Sequence, residues 1–333
     1  MTWTEGLPPG YTGALGAPDD LEPLRDLIRR TEEPVSGPST VNVDFIRIML
    51  EQPGSDPTTD LATVHAADGS LVGAARFHVN DPFVQPSSNG WVDPGHRRKG
   101  IGTALIAWAR ARAEGAVDRA PTGTRVALSI GANEKDDAAR ALLERLGFIP
   151  SRYFFEMEIA LDGPFEALPI PEGVTVRTMR ADEDVDELTA AVTEAFRDHF
   201  GFIERPMEAR IEQWRHWRTS DAWDDDLVWL AEVDGDIVGM NVSLRTNGAR
   251  EDQGYVATLG VLPAHRGRGL ARSLLTTSFA EYARRGMSSV SLHVDADSLT
   301  GATRLYRGVG MHEAQTEIDY EWEVRAGEDI IVR

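Results

Sequence analysis

Two short stretches of this chain carry residue types that can hold a diphosphate. Pro94-Gly95-His96-Arg97-Arg98-Lys99-Gly100-Ile101-Gly102 and Pro263-Ala264-His265-Arg266-Gly267-Arg268-Gly269-Leu270-Ala271 share the pattern Pro-x-His-Arg-x-x-Gly-x-(Gly/Ala), each followed by an apolar helical run. Backbone N–H groups satisfy a diphosphate where a helix begins. Glycine at alternate positions lets the phosphates approach with no Cβ in the way, and flanking Arg and Lys add charge-assisted hydrogen bonds. The dinucleotide pattern Gly-x-Gly-x-x-Gly fails in both copies, because Arg272 and Leu105 stand where its third glycine belongs. The Gly-Lys-(Ser/Thr) ending of a triphosphate loop is also missing, since Lys99 precedes Gly100. What remains is a strand–loop–helix anion cradle, present twice.

Outside the loops the chemistry is sparser. Tyr306 lies on a predicted helix and reads either as a phenolic proton donor or as a packed aromatic. Glu251 and Asp252 precede the strand that feeds the second loop, and Glu232 sits on a hairpin arm; each reads as a base or as a solvated turn carboxylate. His199, in Asp198-His199-Phe200-Gly201, reads as a base, a substrate ligand or a capping residue. Trp214, Trp217 and Trp223 cluster ahead of the hairpin, Trp214 as core and the others as a partly exposed wall. Asp224-Asp225-Asp226 reads as a solvated turn that also suits a cationic ligand. With no Cys there is no thiolate nucleophile, disulfide or Cys-ligated metal, and no metal site is expected.

The elements that must position these residues also occur twice. Asp68-Gly69 and Asp234-Gly235 sit between short apolar runs and predict hairpins. Pro8-Pro9-Gly10-Tyr11-Thr12 matches Pro171-Glu172-Gly173-Val174-Thr175, and Leu142 to Phe148 matches Leu305 to Met311. The offset is 163 at the first landmark, 166 at the hairpin, 169 at the loop and 163 at the end, which marks a gene-duplicated chain. In the second half strands are predicted at 174–178, 228–233, 237–244, 255–261, 290–294 and 317–324. Helices are predicted at 182–197, from Pro206, at 270–285 and at 300–307. This gives an α/β (α+β) fold of two tandem domains, residues 1–163 and 164–333, each a mixed, mostly antiparallel sheet flanked by helices.

A formal net charge of −20 argues against broad binding to nucleic acid or anionic membrane. Met1-Thr2-Trp3-Thr4-Glu5 lacks a basic and then apolar leader, and no apolar run approaches the ~18–20 residues that span a bilayer, so a cytoplasmic protein is expected.

The loops, the strand ending Val261-Leu262-Pro263, and the Leu305-Tyr306…Gly310-Met311 helix end together resemble the acyl-CoA fold of the GNAT acetyltransferase superfamily. The tandem arrangement and Val294-Asp295-Ala296-Asp297 are similar to mycothiol synthases, a tandem branch of that superfamily. The resemblance implies transfer of an acetyl group from acetyl-CoA to a primary amine of a small molecule, by direct attack, in a monomer or homodimer. It assigns the Leu259 N–H to the thioester carbonyl, Val261 to the pantetheine arm and Tyr306 to the departing thiolate. It gives the cofactor Arg266, Gly267, Arg268, Gly269, Leu270, Ala271, Arg272 and Ser298 in the second half, and Arg97, Arg98, Lys99, Gly100, Gly102 and Thr103 in the first. Many members place a Glu on the strand before the loop; Gly254-Tyr255-Val256-Ala257 has none, which leaves Glu251 as the candidate base, with His199, Trp217 and Glu232 toward the acceptor.

The first half departs further. Leu143 stands opposite Tyr306, and Pro82, Pro86 and Gly90 crowd the approach to its loop, leaving little room for a regular strand. The C-terminal half is therefore expected to carry the reaction, with the N-terminal half a scaffold that binds CoA weakly or not at all. The alternatives are mycothiol synthase-type acetylation of a cysteinyl amino-sugar, and a non-catalytic acyl-CoA sensor.

Overall fold

A computed structural model describes residues 3–17, 21–37, 39, 41–246, 248, 250–298 and 301–332. The chain forms two compact units, Met1–Tyr153 with Glu317–Ile330, and Phe154–Thr316 with Ile331–Arg333. In chain order the elements are β1 (Tyr11–Leu15), α1 (Glu22–Ser36), α2 (Val43–Leu50), β2 (Leu61–Ala66), β3 (Leu71–His78), β4 (Ser87–Val92), α3 (Ile101–Ala116), β5 (Val126–Asn133), α4 (Asp137–Arg145) and β6 (Ile149–Ala160). There follow β7 (Thr175–Thr178), α5 (Val185–Phe196), α6 (Met207–Trp217), β8 (Val228–Val233), β9 (Asp236–Leu244), β10 (Gln253–Val261), α7 (Leu270–Arg284), β11 (Ser289–Asp295), α8 (Ala302–Gly308) and β12 (His312–Arg325). The predicted start of α8 at Thr300 lies outside the described residues.

In the N-terminal unit the strands run β1-β2-β3-β4-β5-β12, each neighbouring pair antiparallel except β4 with β5. In the C-terminal unit they run β7-β8-β9-β10-β11-β6, antiparallel except β10 with β11. The sequence copies meet near residue 163, but each unit takes its last strand from the other half of the chain. Glu317 to Arg325 of β12 pair with β5, and Phe154 to Ala160 of β6 pair with β11. The Asp234-Gly235 hairpin forms as expected, with positive φ of 53° and 94° at the two turn residues, the geometry that matches strand twist.

Each sheet is covered on both faces. In the C-terminal unit Leu274, Phe279 and Tyr282 of α7 pack on Val290 and Leu292, while Val185 and Leu188 of α5 pack on Leu230, Met240 and Val242. In the N-terminal unit Leu105 and Trp108 of α3 pack on Leu128, Ile318 and Tyr320, and Leu24 and Leu27 of α1 on Ala74 and Trp91. No helix among the described residues is long and apolar enough to cross a membrane.

One correction concerns β4. It is a regular strand, paired with β3 at every residue from Ser87↔His78 to Val92↔Gly73. Pro82 and Pro86 lie before it, where the missing N–H groups cost no ladder bond.

The entry to α5 is pinned by Asp184, 0 % exposed. It accepts from Arg177 Nη1 at 2.6 Å, Arg180 Nη2 at 2.8 Å and the Arg180 backbone N–H at 2.6 Å. Against the penalty of burial, these donors hold its carboxyl well below the usual carboxylate range. A depressed folded pKa gives stability that is present above the unfolded value and lost as pH falls toward the folded one. Asp184→Asn is therefore expected to cost about 2–3 kcal/mol at neutral pH. In thermal melts across pH, its gap to the unmodified protein should narrow as the solution is acidified below about pH 4.

Candidate active site

In the C-terminal unit β10 and β11 pair only at Gln253–Tyr255 with Ser289–Ser291. Beyond Tyr255 and Ser291 the ladder stops while both strands continue, so the parallel pair opens as a wedge toward the loop. The β10–β9 register slips between Val256 and Thr258, leaving Ala257 as the extra residue of a bulge. A bulge re-aims main-chain groups. Leu259, assigned the thioester carbonyl, lies two residues past it, and Val261 closes the strand at the loop.

The loop turns through Pro263–His265 and enters α7 with Gly267 at φ 78° and Gly269 at φ 85°. Both values lie in the left-handed region that glycine tolerates, and nothing lies within 4 Å of where a Cβ would stand. Among the described residues no hydrogen bond takes the backbone N–H groups of Gly267 through Arg272. That run of orphan donors at a helix start fits a diphosphate. Arg268 is exposed beside it, whereas the Arg272 guanidinium donates to the Gly308 carbonyl at 3.2 Å. Ser298 lies in the turn after β11, its N–H on the Asp295 carbonyl at 3.2 Å.

Arg266 has a different place from the one its motif implied. Its Nε donates to the Val261 carbonyl at 3.1 Å, its Nη2 to the Ala195 carbonyl at 2.8 Å, and the fork holds Asp198 at 2.6 and 3.0 Å. The side chain ties the loop to the end of α5. The Arg266 guanidinium keeps the Asp198 carboxyl down at about 2. Asp198 in turn bonds His199 Nδ1 at 3.0 Å. Burial lowers the His199 pKa, against the opposite pull of Asp198, so the imidazole is biased toward its neutral form.

Tyr306 of α8 is 8 % exposed among Leu270, Leu274 and Val294 of the α7-side core. Burial pushes its phenol up to about 12. Among the described residues its hydroxyl has no hydrogen-bond partner. Such a phenol stays protonated at neutral pH.

The remaining acceptor-side candidates are scattered. Glu251 is exposed in the turn before β10, at the end opposite the loop. From Gln253 to Leu259 alone a strand advances about 20 Å, so the structure does not bring Glu251 to the wedge. Glu232 is held by Arg177 at 2.8 Å in the Asp184 network. Trp217 is half-buried at the end of α6, against His216, while Trp223 is buried and packs edge-on against Trp214. The acidic run is an ion-pair hub and not a solvated turn: Asp224 joins Arg285 at 2.7 Å and Arg245 at 3.3 Å, and Asp225 joins Trp223 Nε1 at 2.8 Å and Arg218 at 3.3 Å.

The N-terminal unit keeps the frame of this site. β4 and β5 pair only at Ser87 and Ser88, and a cleft of about 850 Å³ occupies the opening, lined by Ser88, Gly90, Arg98, Gly100, Gly102 and Thr103 among others. Arg97 anchors the loop as Arg266 does, here to Asp136 at 3.2 Å, the residue that caps α4. Arg98 and Lys99 are exposed. Arg98 takes φ 60° where the second loop has Gly267, a conformation that costs a side-chain-bearing residue about 1–2 kcal/mol. Leu143 is buried in the α3-side core and offers no proton.

Comparison with known proteins agrees with this geometry. A model of the acetyltransferase (GNAT) family matches residues 188–311, and an acetyltransferase (GNAT) domain model matches residues 60–150. The chain is 34% identical over 264 residues to a mycothiol acetyltransferase of Streptomyces bingchenggensis, covering 77% of this chain and 78% of that one. It is 32% identical over 272 residues to a mycothiol acetyltransferase of Salinispora arenicola, covering 78% and 80%. Among solved structures, a GCN5-related N-acetyltransferase from Sphaerobacter thermophilus matches with TM-score 0.79 at 32% identity, over 97% and 98% of the chains. A tandem GNAT protein from the clavulanic acid biosynthesis pathway matches in fold with TM-score 0.72 at 18% identity, over 96% and 100%.

Proposed function

Because the chain belongs to the GNAT acetyltransferase family and is an acetyl-CoA-dependent N-acetyltransferase, we propose that its C-terminal unit carries the reaction and that the acceptor is a small-molecule primary amine. The observation that supports the choice of unit is Tyr306, a buried, protonated, unpartnered phenol in the C-terminal unit where the N-terminal unit has Leu143.

Acetyl-CoA supplies a thioester with a thiolate leaving group. The protein's own residues do the rest. The orphan N–H groups of Gly267 to Arg272 and the Arg268 side chain hold the diphosphate. Arg266 and Ser298 belong to the same binding region, Arg266 by fixing the loop. Main-chain donors past the Ala257 bulge, Leu259 among them, face the thioester carbonyl and stabilise charge there, while Val261 pairs with the pantetheine arm. Tyr306 protonates the departing sulfur. His199, on the Arg266–Asp198 tether, and the half-buried Trp217 border the acceptor.

The mycothiol acetyltransferases that match most of the chain favour a cysteinyl amino-sugar as acceptor. The N-terminal cleft favours a second role beside this one: acyl-CoA binding through Arg98, Lys99, Gly100, Gly102 and Thr103 without turnover, in a division at the repeat boundary, 1–163 and 164–333.

The test incubates the full chain with acetyl-CoA and a cysteinyl glucosamine, alongside a panel of unrelated primary amines. Thiol release and acetylated product by mass are the readouts. Transfer to the cysteinyl sugar well above the panel supports the reading; acetylation of none of these amines overturns the small-molecule amine as acceptor.

A further inference from the structure

The C-terminal wedge holds a polar pair that the mechanism above does not use. Val290 and Leu292 of β11 are buried in the α7-side core, so by strand alternation Ser291 and His293 face the other side of the sheet. Tyr255 and Ser291 are the last paired residues before β10 and β11 part. The Tyr255 hydroxyl stands 3.1 Å from His293 Nδ1 across the opening. Ser291 is 0 % exposed and its Oγ has no partner among the described residues, which costs about 1–3 kcal/mol if nothing else binds there. An orphaned hydroxyl and a coupled phenol–imidazole pair thus meet at the apex of the wedge. No carboxylate stands on this stretch of β10.

The surroundings suit a proton acceptor. Glu156 of β6 lies directly opposite His293 in register, and Glu158 opposite Ser291, each on the same face as its partner. Glu158 is taken up by Arg250 at 3.0 Å. Asp295 lies two residues along β11 on this face, and its charge reaches His199. Glu156 and Asp295 therefore lie on the same face of the sheet as the imidazole.

We propose that Tyr255 and His293 take the proton of the acceptor amine. This rests on the reading of the C-terminal unit as the catalytic one. The acceptor's ammonium N–H bond breaks toward the Tyr255 oxygen while the Tyr255 O–H bond breaks toward His293 Nδ1. The products are a neutral amine ready to attack and an imidazolium facing Glu156, with the phenol regenerated.

The experiment measures kcat/KM for the cysteinyl glucosamine, or for the best amine of the panel, from about pH 6 to pH 10 at saturating acetyl-CoA. It compares the unmodified chain with His293→Gln and Tyr255→Phe. Both variants are expected to lose about 10²-fold near neutrality, with the KM for acetyl-CoA unchanged. Both should converge on the unmodified enzyme as pH rises, because the amine then arrives already neutral. A loss that is uniform across pH, or no loss in either variant, overturns the proton-acceptor role while the acetyltransferase reading stands. An unmodified chain that acetylates no amine overturns that reading, and this inference with it.

Discussion

Tyr306→Phe is expected to lower kcat by about 10²–10⁴-fold, the span typical of a positioned proton donor, while leaving the fold and acetyl-CoA affinity intact. The change removes one oxygen and keeps the ring in the α7-side core that also holds Leu270 and Leu274. That oxygen has no partner to lose among the described residues, so stability should move by less than about 0.5 kcal/mol. The phenol is held up at about 12 by burial. It therefore stays protonated through the alkaline range in which most enzymes are assayed, and a donor of this kind leaves kcat without a falling limb until about pH 11. The comparison that isolates the role is Leu143→Ala in the N-terminal unit. It empties volume in a core without touching a proton, so it should lower the melting temperature and leave kcat nearly unchanged. Steady-state thiol release on both variants, with thermal melts beside them, separates the two effects. A Phe variant with full kcat would remove the phenol from the chemistry.

What the sequence revealed follows from which features are local. The loops, the Asp-Gly hairpins and the helices after the loops are set by glycines, turn residues and apolar spacing within a dozen positions, and they form where the patterns put them. The closing strands are a different matter. β6 and β12 carry similar apolar alternation, and nothing local tells Phe154 to Ala160 to pair with β11 or Glu317 to Arg325 with β5. Partner choice between two like strands is a long-range outcome. The same limit hid the anchoring role of Arg266. Its partner Asp198 lies 68 residues away, and a basic residue in an anion-binding motif reads as a ligand until its geometry is known. Glu251 shows the reverse error. It is close to the loop in sequence, but the extended strand between carries it away at about 3.3 Å per residue. Tyr255 and His293 had no signal as a pair: only the parting of two parallel strands brings a phenol and an imidazole together.

The loops support the other large effect. Arg268→Glu with Gly269→Asp is expected to weaken acetyl-CoA binding at the C-terminal unit by about 10²-fold or more. Gly269 sits at φ 85°, where any side chain is strained, and the new carboxylates face the orphan N–H run. Losing even two hydrogen bonds to a charged group, at about 1.5–3 kcal/mol each, accounts for a change of that size. Arg266 is left in place because replacing it would release Asp198 and the end of α5, confusing lost binding with lost structure. The matching pair in the N-terminal loop is Lys99→Glu with Gly100→Asp, at φ 93° for Gly100. Calorimetric titration of the full chain with acetyl-CoA then has a sharp expectation. The first double variant should abolish turnover together with one binding event. The second should remove a separate, weaker event and leave amine acetylation untouched, because the N-terminal cleft has Leu143 where a donor is needed and bears the strain of Arg98 at φ 60°. If the N-terminal variant also stops turnover, the two units do not act independently, and catalysis in the C-terminal wedge requires the N-terminal cleft to be filled.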